Sequence, residues 1–307
     1  MKKSISFSKR PYAAYHDTLY GEKQLIKRVF RSIAPLCPEN AMLRTSEYIV
    51  SSAKIPASFD GFRIAQLSDL HGNPSPKCVQ KFVQRINDFK PDAIVITGDF
   101  ADEWIQDFHS LFRLAETLCK KCTVYFAYGN HEQKLSTKNR RFFIRELRER
   151  GVHVLNNRSE KLERNGENIT FCGIRVPLRF YRWKNWDSRK PAVFTKKQME
   201  NLVGQHDASF TVLLAHNPLF FDTYAEWGAE LTLSGHVHGG MVRIPHFGGL
   251  LSPERKFFPQ YSAGLYRMEN KQLIVSTGLG KYPRLNNPPE LVLITLHHTS
   301  CRNTGKP

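Results

Sequence analysis

Acidic, amide and histidine side chains follow five short apolar stretches of the sequence, each time at the carboxyl end of the stretch. The five groups are Asp69-Leu70-His71, Gly98-Asp99, Gly129-Asn130-His131-Glu132, His216-Asn217-Pro218 and Gly235-His236-Val237-His238. They contain five of the twelve histidines of the 307-residue chain. Imidazole, carboxylate and amide oxygen, with no thiolate, suit manganese, iron or zinc better than they suit a structural cysteine–zinc site. The pattern predicts a metal centre.

The apolar stretches themselves have the composition of β-strands that are buried on both faces. They are Arg63–Ser68, Ala93–Thr97, Thr123–Tyr128, Ile169–Gly173, Thr211–Ala215, Leu231–Ser234, Leu273–Ser276 and Leu291–Leu296. Helical periodicity separates the early strands, over Pro76–Phe89, Phe108–Lys121 and Thr137–Arg150. This order predicts an α/β fold with a layered sheet core, in which the carboxyl ends of the strands build the site.

The alternation of side chains along a strand favours two chelating pairs. Residues two apart on an extended chain point to the same side, so Asp69 and His71 are expected to share one ion. The same reasoning predicts that His236 and His238 share one ion.

The ordered series D-x-H, G-D-x-x-D, G-N-H-E, H and G-H-x-H, over roughly residues 60–240, resembles the calcineurin-like metallophosphoesterase superfamily. The resemblance implies a β-sandwich of mixed sheets flanked by helices, with two divalent metal ions as cofactors. The ligands of one ion would be Asp69, His71 and His238. The ligands of the second would be Asn130, His216 and His236. Asp99 would bridge both ions, His131 would be the catalytic acid, and Asp102 would orient it.

The chemistry of such a centre is phosphohydrolysis. Two neighbouring cations lower the pKa of a bridging water, and the resulting hydroxide can attack a phosphodiester or pyrophosphate bond in line. An imidazolium such as His131 can protonate the leaving oxygen. A carboxylate such as Asp102 would keep that imidazole protonated and fixed in orientation. The ligand set accepts manganese, iron or zinc and does not choose among them.

Two comparisons within the superfamily narrow the expected class of phosphoesterase and its substrate. Its protein Ser/Thr phosphatases carry an arginine directly after the second Asp, whereas Glu103 and Trp104 follow Asp102 in this chain, which counts against that class. The segments that resemble the bacterial YkuE/YaeI-like branch are Gly239–Pro245, Tyr261–Tyr266, Gly278–Gly280 and Arg284–Asn286. Many members of that branch are membrane-associated. Some cleave the pyrophosphate of UDP-2,3-diacylglucosamine, so a phosphorylated small molecule or a lipid-linked or nucleotide-containing substrate is expected.

The excess positive charge lies mainly in two short segments. Of the net +17, residues 1–44 supply +6 and residues 175–197 supply +7. The second segment interleaves its cations with aromatic residues, which predicts a flap that grips a diphosphate or presses on a lipid surface. The alternative is a solvated loop whose aromatic residues pack on the core. The predicted substrate contacts are Arg175, Arg179, Arg182, Arg284 and Asn286.

The N-terminal segment predicts a separate unit. Apolar residues recur at helical spacing over Leu25–Ile33 with cations between them, so residues 1–44 are expected to form a basic extension ahead of a metallophosphoesterase domain over residues 45–307. This helix could lie in an anionic membrane interface or pack on the domain. With no run of about 18 apolar residues and no secretion signal, the chain is expected in the cytoplasm, peripheral at the inner face of the membrane.

Two other functions remain open at this stage. One is a catalytically idle basic protein that binds membrane or nucleic acid on the same scaffold, and the other is a nuclease. The chain has no specific nucleic-acid motif beyond its charge. All seven metal-ligand positions are intact, which favours the enzyme. The oligomeric state is not predicted.

Overall fold

Two six-stranded sheets form the centre of the protein in the computed structural model. The structure describes residues 43–72, 76–181, 193–240, 243–244, 248–249, 259–280, 284 and 286–300. The first sheet contains β1 (Arg44–Ser52), β2 (Arg63–Leu67), β3 (Ala93–Thr97), β4 (Thr123–Ala127), β5 (Val152–Val154) and β14 (Glu290–His298). Its strand order is β1-β14-β2-β3-β4-β5. β2 to β5 run parallel, β14 is antiparallel to β2, and β1 is parallel to β14.

The second sheet has the same number of strands and two antiparallel edges. It contains β6 (Arg158–Arg164), β7 (Glu167–Ile174), β8 (Thr211–Ala215), β9 (Leu231–Ser234), β12 (Gly264–Met268) and β13 (Lys271–Val275). Its strand order is β12-β13-β9-β8-β7-β6, with parallel pairing from β7 through β13. The hairpins β6–β7 and β12–β13 form the edges. A separate antiparallel pair joins β10 (Arg243–Ile244) and β11 (Gly248–Gly249).

Apolar side chains that alternate along the strands pack either between the two sheets or under the outer helices. In β3, Val95 belongs to the core between the two sheets, whereas Ile94 and Ile96 belong to the core under the helices. Tyr125 of β4 stacks on Phe171 of β7 across the sandwich, with ring centroids 4.3 Å apart. The central strands are apolar on both faces because both faces are buried.

Helices cover both outer faces of the sandwich. They are α1 (Pro76–Phe89), α2 (His109–Cys119), α3 (Asn130–Lys134), α4 (Thr137–Glu149), α5 (Lys196–Val203) and α6 (Phe221–Trp227). Phe82, Leu111 and Phe143 pack α1, α2 and α4 on the first sheet. Met199 and Tyr224 pack α5 and α6 on the second. This confirms the predicted α/β fold, a β-sandwich of mixed sheets flanked by helices.

The boundaries of the predicted elements agree with the structure to within two residues for all eight strands and three helices. The strands that the apolar pattern does not predict are β1, β5, β6, β10, β11 and β12. β6 shows why, because it is a charged edge strand, R-S-E-K-L-E-R, whose side chains are mostly exposed and whose pairing with β7 is through the backbone.

The described residues bear differently on the predicted N-terminal extension and on membrane-spanning helices. Residues 1–42, which include the predicted amphipathic helix, lie outside the described residues, so the division into an extension and a domain stays a prediction. None of the helices in the described ranges combines the length and the hydropathy that a membrane-spanning helix requires.

Candidate metal centre

The five predicted groups converge at one edge of the sandwich, at the carboxyl ends of β2, β3 and β4 in the first sheet and of β8 and β9 in the second. Three hydrogen bonds join groups that are distant in sequence. The backbone N–H of His236 donates to both carboxylate oxygens of Asp69 at 3.1 Å, and the N–H of His131 donates to Oδ1 of Asp99 at 2.8 Å. The imidazole of His216 is 2.7 Å from the carbonyl of Thr97 through its Nδ1 atom. The two sheets therefore meet at the site.

The first ligand group consists of Asp69, His71 and His238, whose ligand atoms lie within 4.8 Å of one another. Nε2 of His71 is 3.4 Å from Nε2 of His238, and Nε2 of His238 is 3.6 Å from Oδ1 of Asp69. Asp69 and His238 are buried and His71 is half-buried. Two imidazoles and one carboxylate facing a common point can hold one divalent ion.

The second ligand group consists of Asp99, His216 and His236, again with ligand atoms within 4.8 Å of one another. Nε2 of His216 is 3.1 Å from Oδ2 of Asp99 and 3.8 Å from Oδ1 of Asp69, so this imidazole connects the two groups. Asn130, the first residue of α3, is buried and precedes His131, whose N–H donates to Asp99. The structure thus places six of the seven nominated residues in two ligand groups, while the ligand role of Asn130 and the bridging role of Asp99 stay predictions.

The pairing expected from strand alternation is wrong for the two C-terminal histidines, because His238 belongs to the first ligand group and His236 to the second. The physical reason is the backbone. β9 ends at Ser234, and both histidines have φ in the left-handed region, at 71° and 52°, so the chain is not extended there. Asp69, His71 and Asp99 also have positive φ. Such conformations cost of order 1–3 kcal/mol each and concentrate where side chains must be aimed at a site.

Two glycines lie beside the carboxylates of Asp69 and Asp99, where a larger residue would clash. A Cβ atom at Gly129 would lie 2.1 Å from Oδ1 of Asp99, and one at Gly235 would lie 2.2 Å from Oδ2 of Asp69. No side chain fits at either position without displacing a ligand. This explains the glycines that begin the G-N-H and G-H-x-H groups.

The donor atoms of the centre fit a metal ion. Oδ2 of Asp99, Oδ1 of Asn130 and Nε2 of His216 are buried and have no hydrogen-bond partner among the described residues. Buried polar atoms are almost always hydrogen-bonded. Oδ2 of Asp99 and Nε2 of His216 form an ion pair at 3.1 Å, and a bound cation would satisfy both of these atoms and Oδ1 of Asn130. The contact of Nδ1 of His216 with the carbonyl of Thr97 leaves its Nε2 facing the site, as in metal-binding histidines. Divalent cations satisfy this mixture of nitrogen and oxygen donors.

The electrostatics of the second group favour a cation. Burial alone would lower the pKa of His216, but the charges of Asp99 and Asp69 outweigh burial and raise it to about 9. Burial alone would raise the pKa of Asp99, but the neighbouring imidazoles, His216 first, hold it well below its ordinary value. The buried carboxylates therefore attract positive charge, and a metal ion would compete with the proton on His216.

The predicted acid lies next to this group. Nε2 of His131 is 3.8 Å from Oδ2 of Asp99, while its Nδ1 is 3.3 Å from Oδ1 of Asp102 and in contact with Oε2 of Glu103. Burial alone would lower the pKa of His131, but hydrogen bonds with Asp102 and Glu103 outweigh burial and raise it to about 10. The imidazole is positioned as a proton donor whose Nε2 faces the ligand groups.

Glu132 is a residue of the site to which the sequence pattern assigns no role. Its carboxylate is fully buried and accepts hydrogen bonds from the backbone N–H groups of Asp99, Ala101 and Gly129, at 3.1, 2.9 and 2.8 Å. These bonds tie the loop after β3 to the loop after β4. Burial, followed by the charge of Asp99, raises the pKa of Glu132 to about 7. Its place as the fourth residue of G-N-H-E was the only signal in the sequence.

The predicted flap begins at the site. The ring of Tyr181 meets His236 edge-on, with centroids 4.9 Å apart. Its neighbour Phe180 instead packs on Phe194 and Phe220, with centroids 5.1 and 5.7 Å away. Phe180 therefore packs on the core as the alternative interpretation expects, whereas the flap, to which Tyr181 belongs, stays a prediction. Arg182 and the rest of the segment up to residue 192 lie outside the described residues.

Among the other predicted substrate contacts, three arginines have partners within the protein and the asparagine is exposed. The guanidinium of Arg175 lies over the ring of Tyr128, 5.7 Å from its centroid, and that of Arg179 lies over Phe180 at 4.8 Å. Arg284 is buried, and its guanidinium donates to backbone carbonyls of residues 278, 280, 287 and 288, so it holds that loop together. Asn286 is exposed. Substrate contact by these residues stays a prediction.

Comparison with known proteins agrees with the geometry. The model of the calcineurin-like phosphoesterase family matches residues 62–240. The metallophosphoesterase YkuE of Bacillus subtilis is 27% identical over 273 residues, which is 85% of this chain and 88% of that protein. The phosphodiesterase YaeI of Escherichia coli is 24% identical over 211 residues, 67% of this chain and 71% of that protein.

Among solved structures, the phosphopantetheinyl hydrolase PptH of Mycobacterium tuberculosis is similar, with a TM-score of 0.44 and 14% identity over 73% of this chain and 91% of that one. The family model covers more than half of the chain, and the matched residues include every predicted ligand. The chain therefore belongs to the calcineurin-like phosphoesterase family, close to the bacterial YkuE and YaeI proteins, and is a metal-dependent phosphoesterase.

Proposed function

We propose that this chain uses two divalent metal ions to hydrolyse a phosphodiester or pyrophosphate bond. The observation that carries the proposal is the convergence of buried, unpartnered donor atoms of Asp99, Asn130 and His216 with the acid His131 at their edge. The residues that would hold one ion are Asp69, His71 and His238, and those that would hold the other are Asn130, His216 and His236. Asp99 would lie between the ions.

When bound, the ions supply a nucleophile by lowering the pKa of a water ligand, and they neutralise charge on the phosphoryl oxygens. The protein supplies orientation and a proton. His131 is protonated at neutral pH and directs Nε2 toward the ligand groups, so that it can give its proton to the departing oxygen. Its Nδ1 side is occupied by carboxylates, which fix the ring and stabilise its charge.

The charge beside the acid favours a diester over a monoester. At the position where a protein phosphatase has a phosphate-binding arginine, this chain has Glu103, which contacts His131. A carboxylate repels the second negative charge of a phosphomonoester more than it repels a singly charged diester. The name of the relative YaeI, a phosphodiesterase, points in the same direction.

The substrate we propose is lipid-linked or contains a nucleotide, and it is presented at the inner membrane surface. Support comes from the distribution of charge, since residues 1–44 and 175–197 hold 13 of the 17 net positive charges. Tyr181 brings the start of the second segment against His236, next to the ligands. A pyrophosphatase of the UDP-2,3-diacylglucosamine type is one candidate, and it would act as a peripheral membrane protein.

Reconstitution of the metal-free protein tests the proposal. The protein is loaded separately with Mn²⁺, Fe²⁺ or Zn²⁺ and assayed on bis(p-nitrophenyl) phosphate, p-nitrophenyl phosphate and UDP-2,3-diacylglucosamine. We expect metal-dependent hydrolysis of the diester, or of the pyrophosphate, well above that of the monoester. Absence of metal-dependent hydrolysis on every diester and pyrophosphate would leave only the idle binding protein.

A nuclease is the second candidate, because the net charge of +17 also suits nucleic acid, which is a phosphodiester. Plasmid DNA and single-stranded RNA are therefore added to the panel. Sedimentation with anionic vesicles is compared with salt-dependent retention on DNA. We expect vesicle binding to dominate, and cleavage and retention of nucleic acid without vesicle binding would favour the nuclease.

A further inference from the structure

The acid His131 faces two carboxylates on the same side of its ring. Its Nδ1 atom is 3.3 Å from Oδ1 of Asp102 and also contacts Oε2 of Glu103. A ring N–H has one proton and makes one strong, linear hydrogen bond at a time. The two carboxylates therefore do not have equivalent roles, and their other contacts distinguish them.

Asp102 lies near two imidazoles, one at each of its carboxylate oxygens. While Oδ1 lies near His131, Oδ2 is 3.6 Å from Nδ1 of His71. The other nitrogen of His71, Nε2, faces Nε2 of His238 at 3.4 Å, inside the first ligand group. Metal-binding histidines usually donate their second N–H to a carboxylate, which fixes the ring and raises its basicity. Oδ2 of Asp102 lies at ion-pair distance from Nδ1 of His71 and is in position to do this, although Oδ1 is closer to His131.

Glu103 contacts His131 and Lys134. Its carboxylate is 3.4 Å from Nζ of Lys134, and its side chain is 16% exposed. Lys134 is the last residue of α3, the short helix that also carries His131. One helix thus supplies both the acid and the cation that holds the carboxylate of Glu103 in place.

We propose that Glu103 is the positioning residue of His131, and that Asp102 mainly positions the metal ligand His71. The assignment rests on the proposed function for the part that concerns proton donation. It changes the expectation drawn from the family resemblance, in which Asp102 alone orients His131. It also gives a purpose to the residue that stands in place of the arginine of the protein phosphatases.

Leaving-group dependence tests the assignment to Glu103. Glu103→Gln is compared with wild type and with Glu149→Gln, a control at an exposed site on α4. The substrates are bis(p-nitrophenyl) phosphate, whose leaving group needs little protonation, and diphenyl phosphate, whose leaving group needs more. We expect kcat on diphenyl phosphate to fall about tenfold or more and kcat on the nitrophenyl diester to fall by a smaller factor, with KM nearly unchanged. Equal kcat values for Glu103→Gln and wild type on diphenyl phosphate would overturn the assignment.

Metal affinity tests the assignment to Asp102. Asp102→Asn should weaken binding of Mn²⁺, titrated alone into the metal-free protein, by about 10- to 100-fold. Glu103→Gln and Glu149→Gln should leave this affinity at the wild-type value. If Glu103→Gln weakens Mn²⁺ binding as much as Asp102→Asn does, the division between the two carboxylates is wrong.

A measurement without turnover separates this inference from the proposed function. The imidazole N–H protons of the metal-free protein are observed by NMR, with His71→Ala and His131→Ala used for assignment. Glu103→Gln should shift the Nδ1 proton of His131 upfield, and Asp102→Asn should shift that of His71. The reverse pattern would overturn the proposal. An inactive wild type with the expected pattern would contradict only the proposed function.

Discussion

The two ends of β9 bury charge in opposite ways. Glu230 precedes the strand, and the loop after the strand carries His236 and His238. At the beginning of β9, both carboxylate oxygens of Glu230 are hydrogen-bonded, and the donors are Lys54 at 2.8 Å, Lys271 at 3.1 Å and the backbone N–H of Thr211 at 2.9 Å. At the other end, Nε2 of His216 and Oδ2 of Asp99 form a buried ion pair at 3.1 Å, and neither atom makes a hydrogen bond within the described part of the chain.

The contrast separates a structural charge from a ligand set. Burial alone would raise the pKa of Glu230, but hydrogen bonds with His206, Lys54 and Thr211 outweigh burial and lower it to about 2. The protein itself satisfies this carboxylate, so it stabilises the fold. At the carboxyl end of β9 the protein leaves polar atoms without hydrogen bonds, and a bound metal ion would complete them. Substitutions at the two ends should therefore affect different properties.

The largest effect is expected for Asp99→Asn. Metal-dependent hydrolysis should fall to background, and the protein should bind at least one metal ion fewer, because a central carboxylate is lost. The unfolding free energy of the metal-free protein should also fall, because Asp99→Asn breaks the buried ion pair with His216. Elemental analysis and urea unfolding measure the two properties. A destabilised variant that keeps its full metal content would contradict the comparison.

Removal of the acid is expected to have the next largest effect. His131→Ala should lower kcat by about 10²- to 10⁴-fold, the usual contribution of general acid catalysis, because the leaving oxygen is no longer protonated. Metal content should stay at the wild-type value. Steady-state kinetics on diphenyl phosphate, whose leaving group needs protonation, with elemental analysis of the same sample, checks both statements. Loss of metal together with activity would show that His131 is a ligand instead.

At the opposite end of β9, Glu230→Ala should affect stability alone. The unfolding free energy should fall by about 2 kcal/mol, because two lysines and a backbone N–H lose their shared acceptor. Metal content and activity of the folded protein should not change. Glu226→Ala, at an exposed position on α6, is the matched control. Equal stabilities for the two variants would remove the structural role of Glu230.

A smaller effect is expected from pH. The pKa of Glu230 is about 2 in the folded protein, against an ordinary value of 4.5. Because the folded pKa is lowered, the stabilisation is complete above about pH 4.5 and is lost as the pH falls from there toward 2. Urea unfolding at pH 6, 5, 4 and 3 should show this loss in wild type and a shallower one in Glu230→Gln. Parallel curves for the two proteins would count against the predicted shift.

The sequence predicts much of this arrangement because the strands of an α/β sandwich are continuous apolar runs. The residues predicted to bind metal directly follow the carboxyl ends of these strands in the sequence, from Asp69 to His238. The family resemblance places His236 and His238 in different ligand groups, but strand alternation could not, since the division depends on left-handed backbone conformations. The bonds of Glu132 to backbone N–H groups of two loops, and the contact of Glu103 with His131, arise only in three dimensions. The apolar pattern does not predict β6, because an edge strand can pair through its backbone without a run of apolar side chains.

Anomalous X-ray diffraction from crystals loaded with Mn²⁺, recorded at the manganese absorption edge, tests the central claim most directly. We expect two anomalous peaks per chain. One should lie among Asp69, His71 and His238, the other among Asn130, His216 and His236, and Asp99 should contact both. The absence of anomalous density at these residues, or a single ion with the second group empty at saturating Mn²⁺, would contradict a two-metal phosphoesterase.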